Sequence, residues 1–563
     1  LTKPLPEIVD YPLFPEEIKN NEECYFVGLR NLQFNNPFVN PTDYFMEVLR
    51  RDPGDTRSNT QMGVWWRLRG DNEKAKQYLR TAIKRQTKDY TRPKDCEAMY
   101  NLGLILKSEG RYEAAMDTLY RAMWSFEYNS AANFQLAQLY AAGGDIKMAL
   151  ERLNEAIVNN ARNVNFKTTI LRRQGNKEEA LGCVNQVLEV DPVNAYASYE
   201  KKLLTGDNYF TKLMREVPES YLELAIEYMH NGFIDETVSI LKDIDSRVAY
   251  PTVRMYLAYL SDKAGDKSGA RAYYEEALKL PVEYCNMFRL ETIEVLEKAK
   301  EYFPQHYKIY YYLGNLFFDK QPDTGMSNWK QCVDLNPSFA LGWRNLGWGH
   351  WLYTLNLDES VKCYRKAVEL APDQALFLEE LDQVYELKGE DVKVRYDLLK
   401  THHQTNLKRY YPLAAEVITG TFVGDYDYVL GLLKNCYFPT REGVANFHDI
   451  YVDALMMAAI DKISKGKNEE AITLYKQCFE YPDNHQVFLV DKRVPRDAQS
   501  YYLMGEAYEK MGNKKEAMLN YKKSAEVNVK KTDYRYWQGL ALQKTGKGEE
   551  AKAIFESMVE TGK

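Results

Sequence analysis

The feature that most constrains this chain is a self-similarity with a period of 34 residues. A pattern of leucine, small residue, glycine, alanine, leucine and alanine occurs at Leu102, Gly103, Gly110, Ala115, Leu119 and Ala122. It returns 34 residues later at Leu136, Ala137, Gly144, Ala149, Leu153 and Ala156. Related patterns begin at Gly63, Ala258, Gly505 and Gly539. A fixed period of this length is typical of stacked helix-turn-helix units and not of a globule with one core.

Each part of the pattern has a physical role in a pair of helices. A small residue midway along the first helix and another early in the second allow the helices to approach closely. The glycine between them adopts the left-handed conformation that ends a helix. Asp52-Pro53, Asp191-Pro192 and Asn336-Pro337 end second helices, because proline disfavours helix at the residue before it. The pattern therefore predicts a turn inside each unit and a stop after it.

The composition agrees with a folded helical array. Apolar residues make up 45% and charged residues 28% of the 563 residues, which argues against long disordered segments. The 31 glycines and 20 prolines are too few for an all-β chain that needs a turn about every ten residues. Gly175, Gly232 and Gly389 mark further inter-helix turns, so the repeat extends to about fifteen units, some of them degenerate. The sequence therefore predicts an all-α superhelical solenoid.

This pattern resembles the tetratricopeptide repeat. The consensus of that repeat places Trp, Leu-Gly, Tyr, Ala, Phe, Ala and Pro at fixed offsets. Trp343, Leu346-Gly347, Tyr364, Ala367 and Pro372 match it with one extra residue in the turn. The resemblance implies stacked helix pairs whose first helices line a concave groove.

Longer segments resemble a family of large bacterial proteins in which a β-rich, carbohydrate-enzyme-like N-terminal region precedes a long tetratricopeptide tail. The matching strings are RRDPGD from Arg50, AMYNLG from Ala98, YLGNL from Tyr312, WRNLG from Trp343 and LDQ from Leu381. The resemblance implies that this chain is such a tail, with any sugar chemistry in the absent N-terminal region. The chain departs from the family at a loop of Pro-Trp-Glu-Gly-Gly type, where Pro439, Glu442 and Gly443 match but Thr440 replaces the tryptophan.

Breaks in the period divide the chain. Residues 1–20 contain several prolines and are predicted to be an extended linker. Residues 21–280 are predicted to form a first repeat array, and residues 281–305 an inserted helical segment with an amphipathic helix at Met287–Tyr302. Residues 306–563 are predicted to form a second array continuous with the first. Irregular loops are expected at 437–446 and 483–497, and the pattern assigns neither of them a role.

The net charge, the hydropathy and the cysteine spacing limit which partners and which cellular location we expect for this chain. Lys and Arg number 74 against 81 Asp and Glu, which gives a formal net charge of −7. We therefore expect no nucleic-acid partner. No apolar run is long enough to cross a bilayer, so no membrane partner is expected. The eight cysteines stand singly without CxxC spacing, which favours a reducing, cytoplasmic location.

The sequence contains none of the catalytic motifs GxSxG, GxxxxGK[ST] and HExxH. We therefore expect no enzymatic activity in this chain and no cofactor. The adjacent His402 and His403 point about 100° apart on a helix and do not form a shared-face metal site. Cys332, Cys436 and Cys478 occupy small-residue positions, so we expect them to be packing residues.

Inward positions of neighbouring first helices form the first candidate binding surface. Trp329 and Trp343 occupy core positions, whereas Trp348 and Trp351 follow the small residue by one and four positions. In tetratricopeptide arrays those offsets face the concave groove. The same projection adds Tyr311, Asn315, Phe318, Arg344 and Asn345. Aromatic faces, amides and a guanidinium suit a peptide or a sugar ring, and packing between repeats is the alternative.

A second candidate surface lies nearer the N-terminal end. It comprises Arg57, Gln61, Tyr100, Asn101, Phe134, Gln135 and Gln138. This polar set suits the backbone of an extended peptide. The carboxylate clamp of chaperone-binding repeats is not expected, because Thr60 and Val64 stand where that clamp has lysine and asparagine.

These observations predict a non-catalytic scaffold that binds a protein or peptide partner, or its own N-terminal domain, through a concave groove. The alternative is a substrate-contacting accessory region of a carbohydrate-active enzyme, based on the family resemblance and on Trp348 and Trp351. The chain is expected to be a monomer or a weak dimer, because its final helix lacks an obvious following cap.

Overall fold

A computed structural model of the chain describes residues 11–158, 160–439, 447–486, 494–529 and 532–561. None of these residues forms a β-strand, and helix follows helix along the sequence. The chain divides into two compact units, unit 1 at Leu1–Leu335 and unit 2 at Asn336–Lys563. The predicted all-α repeat fold is confirmed.

The described part of unit 1 consists of α-helices and two short 3-10 turns, at Pro15–Glu17 and Lys88–Tyr90. The helices are α1 (Asn21–Gln33), α2 (Pro41–Arg51), α3 (Thr56–Arg67), α4 (Asn72–Gln86), α5 (Glu97–Ser108), α6 (Tyr112–Ala122), α7 (Phe126–Ala142), α8 (Ile146–Glu155), α9 (Ala161–Arg173), α10 (Lys177–Val190), α11 (Ala195–Thr205), α12 (Tyr209–Met214), α13 (Pro218–His230), α14 (Ile234–Asp245), α15 (Pro251–Lys263), α16 (Lys267–Lys279), α17 (Glu291–Tyr302), α18 (Tyr307–Phe318) and α19 (Pro322–Leu335). Successive helices form pairs joined by short turns, and α17 stands between two pairs.

Unit 2 continues the same arrangement. Its helices are α20 (Ala340–Leu352), α21 (Leu357–Leu370), α22 (Ala375–Lys388), α23 (Val392–Thr401), α24 (His403–Asn406), α25 (Tyr410–Val423), α26 (Tyr426–Asn435), α27 (Phe447–Ser464), α28 (Asn468–Gln477), α29 (Asp497–Lys510), α30 (Lys514–Glu526), α31 (Arg535–Lys544) and α32 (Gly548–Thr561). The short α24 stands outside the pairs. Across the described ranges, no helix has both the length and the apolar character that crossing a membrane requires.

Glycine closes the turn inside most pairs. Gly110 has a φ of +71°, and the amide of Arg111 donates to the Leu106 carbonyl oxygen at 2.9 Å. This bond is characteristic of a helix that ends in a left-handed residue. In other pairs an aspartate or asparagine follows the glycine, as where the Asp145 carboxylate accepts from the Met148 amide at 3.0 Å. The two residues together end one helix and start the next.

The small residue of the first helix sets the distance to the second. A Cβ atom added to Gly103 would lie 2.7 Å from Leu119, and one added to Gly347 would lie 2.8 Å from Tyr364. Two carbon atoms cannot approach this closely without repulsion. The pattern residues therefore have the packing role that the sequence predicted for them.

Buried apolar side chains form clusters at successive places along the array. One buried cluster of unit 1 draws its residues from α4 to α7, among them Ala75, Leu119 and Leu136. A cluster of unit 2 runs from α25 to α29 and includes Val417 and Tyr475. Each cluster joins neighbouring pairs, as expected when a pair buries its apolar face against the next pair.

Several predicted irregular segments are partly described. Residues 1–10 lie outside the described residues, and beyond them the carbonyl oxygens of Leu13 and Ile18 accept hydrogen bonds from Tyr44 and Arg51 of α2. The helix predicted at Met287–Tyr302 begins only at Glu291. The predicted loops at 437–446 and 483–497 lie in part outside the described residues.

Unit 1 turns back on itself. The side-chain amide of Gln321, just before α19, donates to the Arg69 carbonyl oxygen in the α3–α4 turn at 2.9 Å, across 252 positions of sequence. Gln138 on α7 donates to the Asn231 side chain at the end of α13 at 2.7 Å. Turns of pairs that are distant in sequence therefore contact other pairs of this unit.

The cysteine environments lead to a prediction about thiol reactivity. Burial raises the pKa of Cys332 to about 12 and that of Cys478 to about 12, whereas Cys183 is half-buried. Because the thiolate is the reactive form, we expect iodoacetamide to modify Cys183 in the folded chain while Cys332 and Cys478 stay unmodified. Peptide mapping by mass spectrometry measures this, with the chain in denaturant as the control in which all three react. Equal rates in the folded chain would contradict the described packing.

Candidate functional site

The residues of the first predicted surface that belong to unit 1 lie on α18. Tyr311 is buried. The Asn315 side-chain oxygen accepts a hydrogen bond from Trp329 Nε1 at 2.9 Å, and the Phe318 ring centroid lies 4.7 Å from the Trp329 ring. Trp329 is buried on α19. Asn315 and Phe318 therefore hold α18 against α19.

The residues of the same surface that belong to unit 2 lie on α20. The Arg344 guanidinium pairs with Glu380 of α22, with 2.8 Å between Nε and Oε2, and lies over the Trp348 ring at 4.9 Å from its centroid. The Trp351 ring meets Trp348 edge-on at 5.5 Å and packs on a buried cluster of α21 and α22. Asn345 is buried. It stays a prediction that the seven residues of the first candidate surface form one binding surface.

At the second predicted surface, polar side chains pair with other residues of unit 1. Arg57 Nη2 lies 2.7 Å from Glu22 Oε2, and its guanidinium lies 4.5 Å from the Tyr25 ring centroid. Gln61 Nε2 donates to Glu97 Oε2 at 3.1 Å. These contacts link α1, α3 and α5.

Other members of this surface lie at contacts between pairs. The Asn101 side-chain oxygen accepts from Arg67 Nε at 2.8 Å. Phe134 is buried, and the Arg162 guanidinium lies over its ring at 4.7 Å. Tyr100 is half-buried, with a tyrosine ring of α7 at 5.3 Å. Much of the predicted polar set is thus engaged within unit 1.

Gln135 and Gln138 both contact Lys107 on α5, a residue that the sequence did not identify as a candidate. Its ammonium nitrogen donates to Gln135 Oε1 at 2.8 Å and also to Gln138 Oε1. Burial, together with the nearby charge of Arg162, lowers the pKa of Lys107 to about 7. The position of Lys107 could have been found, because it follows Tyr100 by seven residues and so shares its helix face.

A chain of buried hydrogen bonds continues from Gln138. Gln138 donates to Asn231, and Asn231 donates to the Tyr196 hydroxyl at 3.3 Å. The Tyr196 and Thr169 hydroxyl oxygens lie 2.8 Å apart, and Thr169 donates to Glu200 Oε1 at 2.7 Å. The chain joins α7, α9, α11 and α13. Every member is buried, so each unmade bond would cost free energy.

Beside this network, unit 1 has a cavity of about 880 Å³. The apolar part of its wall includes Leu213, Met214, Leu224 and Phe288. The charged part comprises Arg162, Glu223, Glu227, His230, Arg289 and Glu291. The Phe288 side chain is 53% exposed. The volume falls within the range of about 300–1,000 Å³ typical of ligand sites.

The charges of the cavity wall are mostly paired with one another. Arg162 Nε lies 3.4 Å from Glu227 Oε1, and Arg289 Nη2 lies 3.1 Å from Glu223 Oε1. His230 Nε2 lies 3.8 Å from a carboxylate oxygen of α17. Burial raises the pKa of Glu227 and lowers the pKa of His230. Side-chain exposure in this wall ranges from 12% at Arg289 to 69% at Glu223, so the cavity is open to solvent on one side and more buried on the other.

This arrangement can recognise a ligand by an apolar anchor and by directed polar contacts. Over the described ranges, no group of three or more His, Cys, Asp and Glu side chains could hold a metal ion. Sequence reasoning missed the cavity because its wall is assembled from α9, α11, α12, α13 and the segment before α17. The available signal was Glu227 and His230, which share one face of α13 at a spacing of three residues.

Comparison with solved structures gives only distant likenesses. A complex of Naa15 and Naa10 bound to HypK-THB aligns over 96% of this chain and 94% of that chain, with 13% identity and a TM-score of 0.26. The Cut9–Hcn1 hetero-tetramer of the APC/C aligns over 87% of this chain and 96% of that chain, with 12% identity and a TM-score of 0.25. TM-scores this low support no argument about the fold or the partners.

Sequence comparison is more specific. Residues 69–126 match one family model of the tetratricopeptide repeat, and residues 356–374 and 498–528 match another. A TPR repeat-containing protein of Methanocaldococcus jannaschii is 24% identical over 323 residues, which are 51% of this chain and 53% of that protein. The chain thus spans about half the length of this relative, and the resemblance to the bacterial carbohydrate-related family stays a prediction. Tetratricopeptide repeats are therefore present in both units of the chain.

Proposed function

We propose that this chain is a non-catalytic scaffold that binds a peptide segment of a protein partner in the cavity of unit 1. The observation that carries the proposal is the cavity of about 880 Å³ itself, which combines apolar and charged walls. Cavities of this size and mixed lining bury a few side chains of a ligand and fix their orientation by polar contacts.

Phe288 is the expected anchor point for such a ligand. It lines the cavity, yet more than half of its side chain is exposed. A large apolar side chain in this position loses its contact with water only when a ligand covers it. Aromatic residues in such positions supply much of the binding energy at interfaces.

The two surfaces predicted from the sequence are weaker candidates. Arg57 and Gln61 are engaged with carboxylates of their own unit. The carbohydrate alternative depends on Trp348, and Arg344 covers one face of its ring. A domain encoded upstream in the same polypeptide is the partner that the family resemblance implies, and calorimetry with that domain tests this version of the proposal.

Phe288→Ser is expected to weaken peptide binding about tenfold or more, because it removes an apolar anchor. Peptides of random sequence displayed on phage are selected on the full chain, and the affinities of synthetic versions are measured by calorimetry. Since Phe288 is exposed and not part of the core, the variant should keep the helical circular dichroism spectrum and the melting temperature of the parent.

Phe126→Ser is the matched control, because Phe126 is also exposed, at 70%, but lies at the start of α7 outside the cavity wall. It should change the affinity by less than about twofold. Equal losses in both variants, or no loss in either, would refute binding in this cavity.

A further inference from the structure

The wall of the unit 1 cavity carries more carboxylates than guanidinium groups. Its two guanidinium groups are those of Arg162 and Arg289, and its three carboxylates are those of Glu223, Glu227 and Glu291. Arg162 pairs with Glu227, and Arg289 pairs with Glu223. Within the described ranges, the wall therefore offers no guanidinium to its third carboxylate, that of Glu291.

The surroundings of Glu291 leave its charge uncompensated. Its basic neighbour is His230, whose Nε2 atom lies 3.8 Å from Glu291 Oε1, beyond the reach of a hydrogen bond. Burial lowers the pKa of His230 despite the nearby carboxylate of Glu291, so the imidazole is neutral at about pH 7.5. Arg289, two positions before Glu291, donates instead to Glu219 and Glu223. Among the residues that the structure describes, Glu291 thus has no cationic partner at this pH.

Glu291 is also within reach of a ligand that contacts Phe288. Its side chain is 40% exposed, and Phe288 lies three positions earlier in the wall of the same cavity. The Arg289 guanidinium lies 4.4 Å from the centroid of the Phe288 ring, so this ring already packs against a cationic side chain. Lysine and arginine combine an apolar stem with a charged head. One such side chain of a ligand can pack its stem on Phe288 and pair its head with Glu291.

We propose that Glu291 binds a cationic group of the ligand, so that the segment held in the unit 1 cavity is a basic peptide. This inference rests on the proposed function and names the chemistry of its ligand. An incoming ammonium or guanidinium donates N–H bonds to the carboxylate of Glu291 and supplies the positive charge that the wall lacks. The cation belongs to an arginine or lysine side chain or to the amino terminus of the peptide.

Calorimetry at pH 7.5 with the peptides selected on the full chain tests this inference. Glu291→Gln keeps the size of the side chain and removes its charge, so it should weaken a basic peptide about tenfold. It should have no effect on the version of the peptide in which citrulline replaces arginine and norleucine replaces lysine, because these residues are neutral. If acetylation of the amino terminus abolishes the effect of Glu291→Gln instead, the terminal ammonium is the cation bound.

Glu294→Gln is the matched control. Glu294 also lies in the first turn of α17 and is 58% exposed, but it is not part of the cavity wall. Both variants lose a carboxylate near the start of the same helix, so their melting temperatures should be alike. The control should change the affinity by less than about twofold, because its exposed pair with Lys263 contributes little.

The outcomes separate this inference from the proposed function. Selected peptides without a cationic group, or equal losses of affinity in Glu291→Gln and Glu294→Gln, would overturn the cation site. Peptides that depend on Phe288 but not on Glu291 would also overturn it and leave the proposed function intact. Peptides that bind independently of Phe288 would overturn the proposed function and this inference with it.

Discussion

Replacing Glu200 by alanine is expected to lower the free energy of unfolding by about 3–5 kcal/mol. Glu200 is fully buried on α11. Its carboxylate accepts from Arg172 Nε at 2.6 Å, from the Tyr228 hydroxyl at 2.6 Å and from Thr169 at 2.7 Å. The substitution leaves Arg172 short of a partner and two buried hydroxyl groups without an acceptor. Urea unfolding followed by circular dichroism measures the loss, and hydrogen exchange locates it to α9, α11 and α13.

Glu297→Ala serves as the control for this measurement. Glu297 on α17 also pairs with a basic residue, Lys300, but at 3.3 Å and with about half of its side chain exposed. An exposed pair contributes little because water screens it, so the control should cost less than about 0.5 kcal/mol. A loss below about 1 kcal/mol for Glu200→Ala would mean that the buried network is not formed as described.

The second large effect is expected from Gly232→Ala, at about 2–4 kcal/mol. Gly232 has a φ of +82°, and a Cβ atom there would lie 2.8 Å from the Ala142 Cα atom and 2.9 Å from its amide nitrogen. The introduced alanine is strained by the left-handed backbone conformation, and its Cβ atom also clashes with the backbone of α7. The substitution therefore separates α7 from the α13–α14 turn and stretches the Gln138–Asn231 hydrogen bond. The shift of the urea midpoint measures the cost.

Gly175→Ala separates the cost of the backbone strain from the cost of the clash with α7. Gly175 occupies the equivalent turn between α9 and α10 with a φ of +84°, but a Cβ atom there would meet nothing within 4 Å. It should cost only the backbone strain, about 1–2 kcal/mol. If both variants lose the same free energy, the close approach of Gly232 to Ala142 contributes nothing.

The Gly232 prediction concerns a contact between pairs that are not neighbours, because Gly232 follows α13 and Ala142 lies on α7. In a simple repeat array each pair touches only the next, so that stability is a sum of local terms. In unit 1, Gln138 and Asn231 are 93 positions apart, and Gln321 and Arg69 are 252 positions apart. Such contacts couple distant pairs. We therefore expect Glu200→Ala to increase hydrogen exchange in α7 as well as in its own neighbours.

The sequence by itself determined the unit of this fold. Gly103 and Gly347 marked helix pairs in close contact, and Gly110 and Gly144 marked the turns, because a missing Cβ and a left-handed φ are requirements of single positions. The same local logic identified Cys332 and Cys478 as buried packing residues. The inserted helix was also predicted, although it begins four residues later than the amphipathic pattern indicated.

Only the tertiary structure decided which side chains line the cavity of unit 1. Projection of helix offsets selected Asn315 and Phe318 as groove residues, which stays a prediction, and the structure adds that both contact Trp329 of the next helix. The cavity of unit 1 depends on α9, α11, α12, α13 and the segment before α17 coming together. Helix periodicity reports which side chains share a face. It cannot report which distant face lies opposite, because that depends on the small rotation between successive pairs, summed along the array.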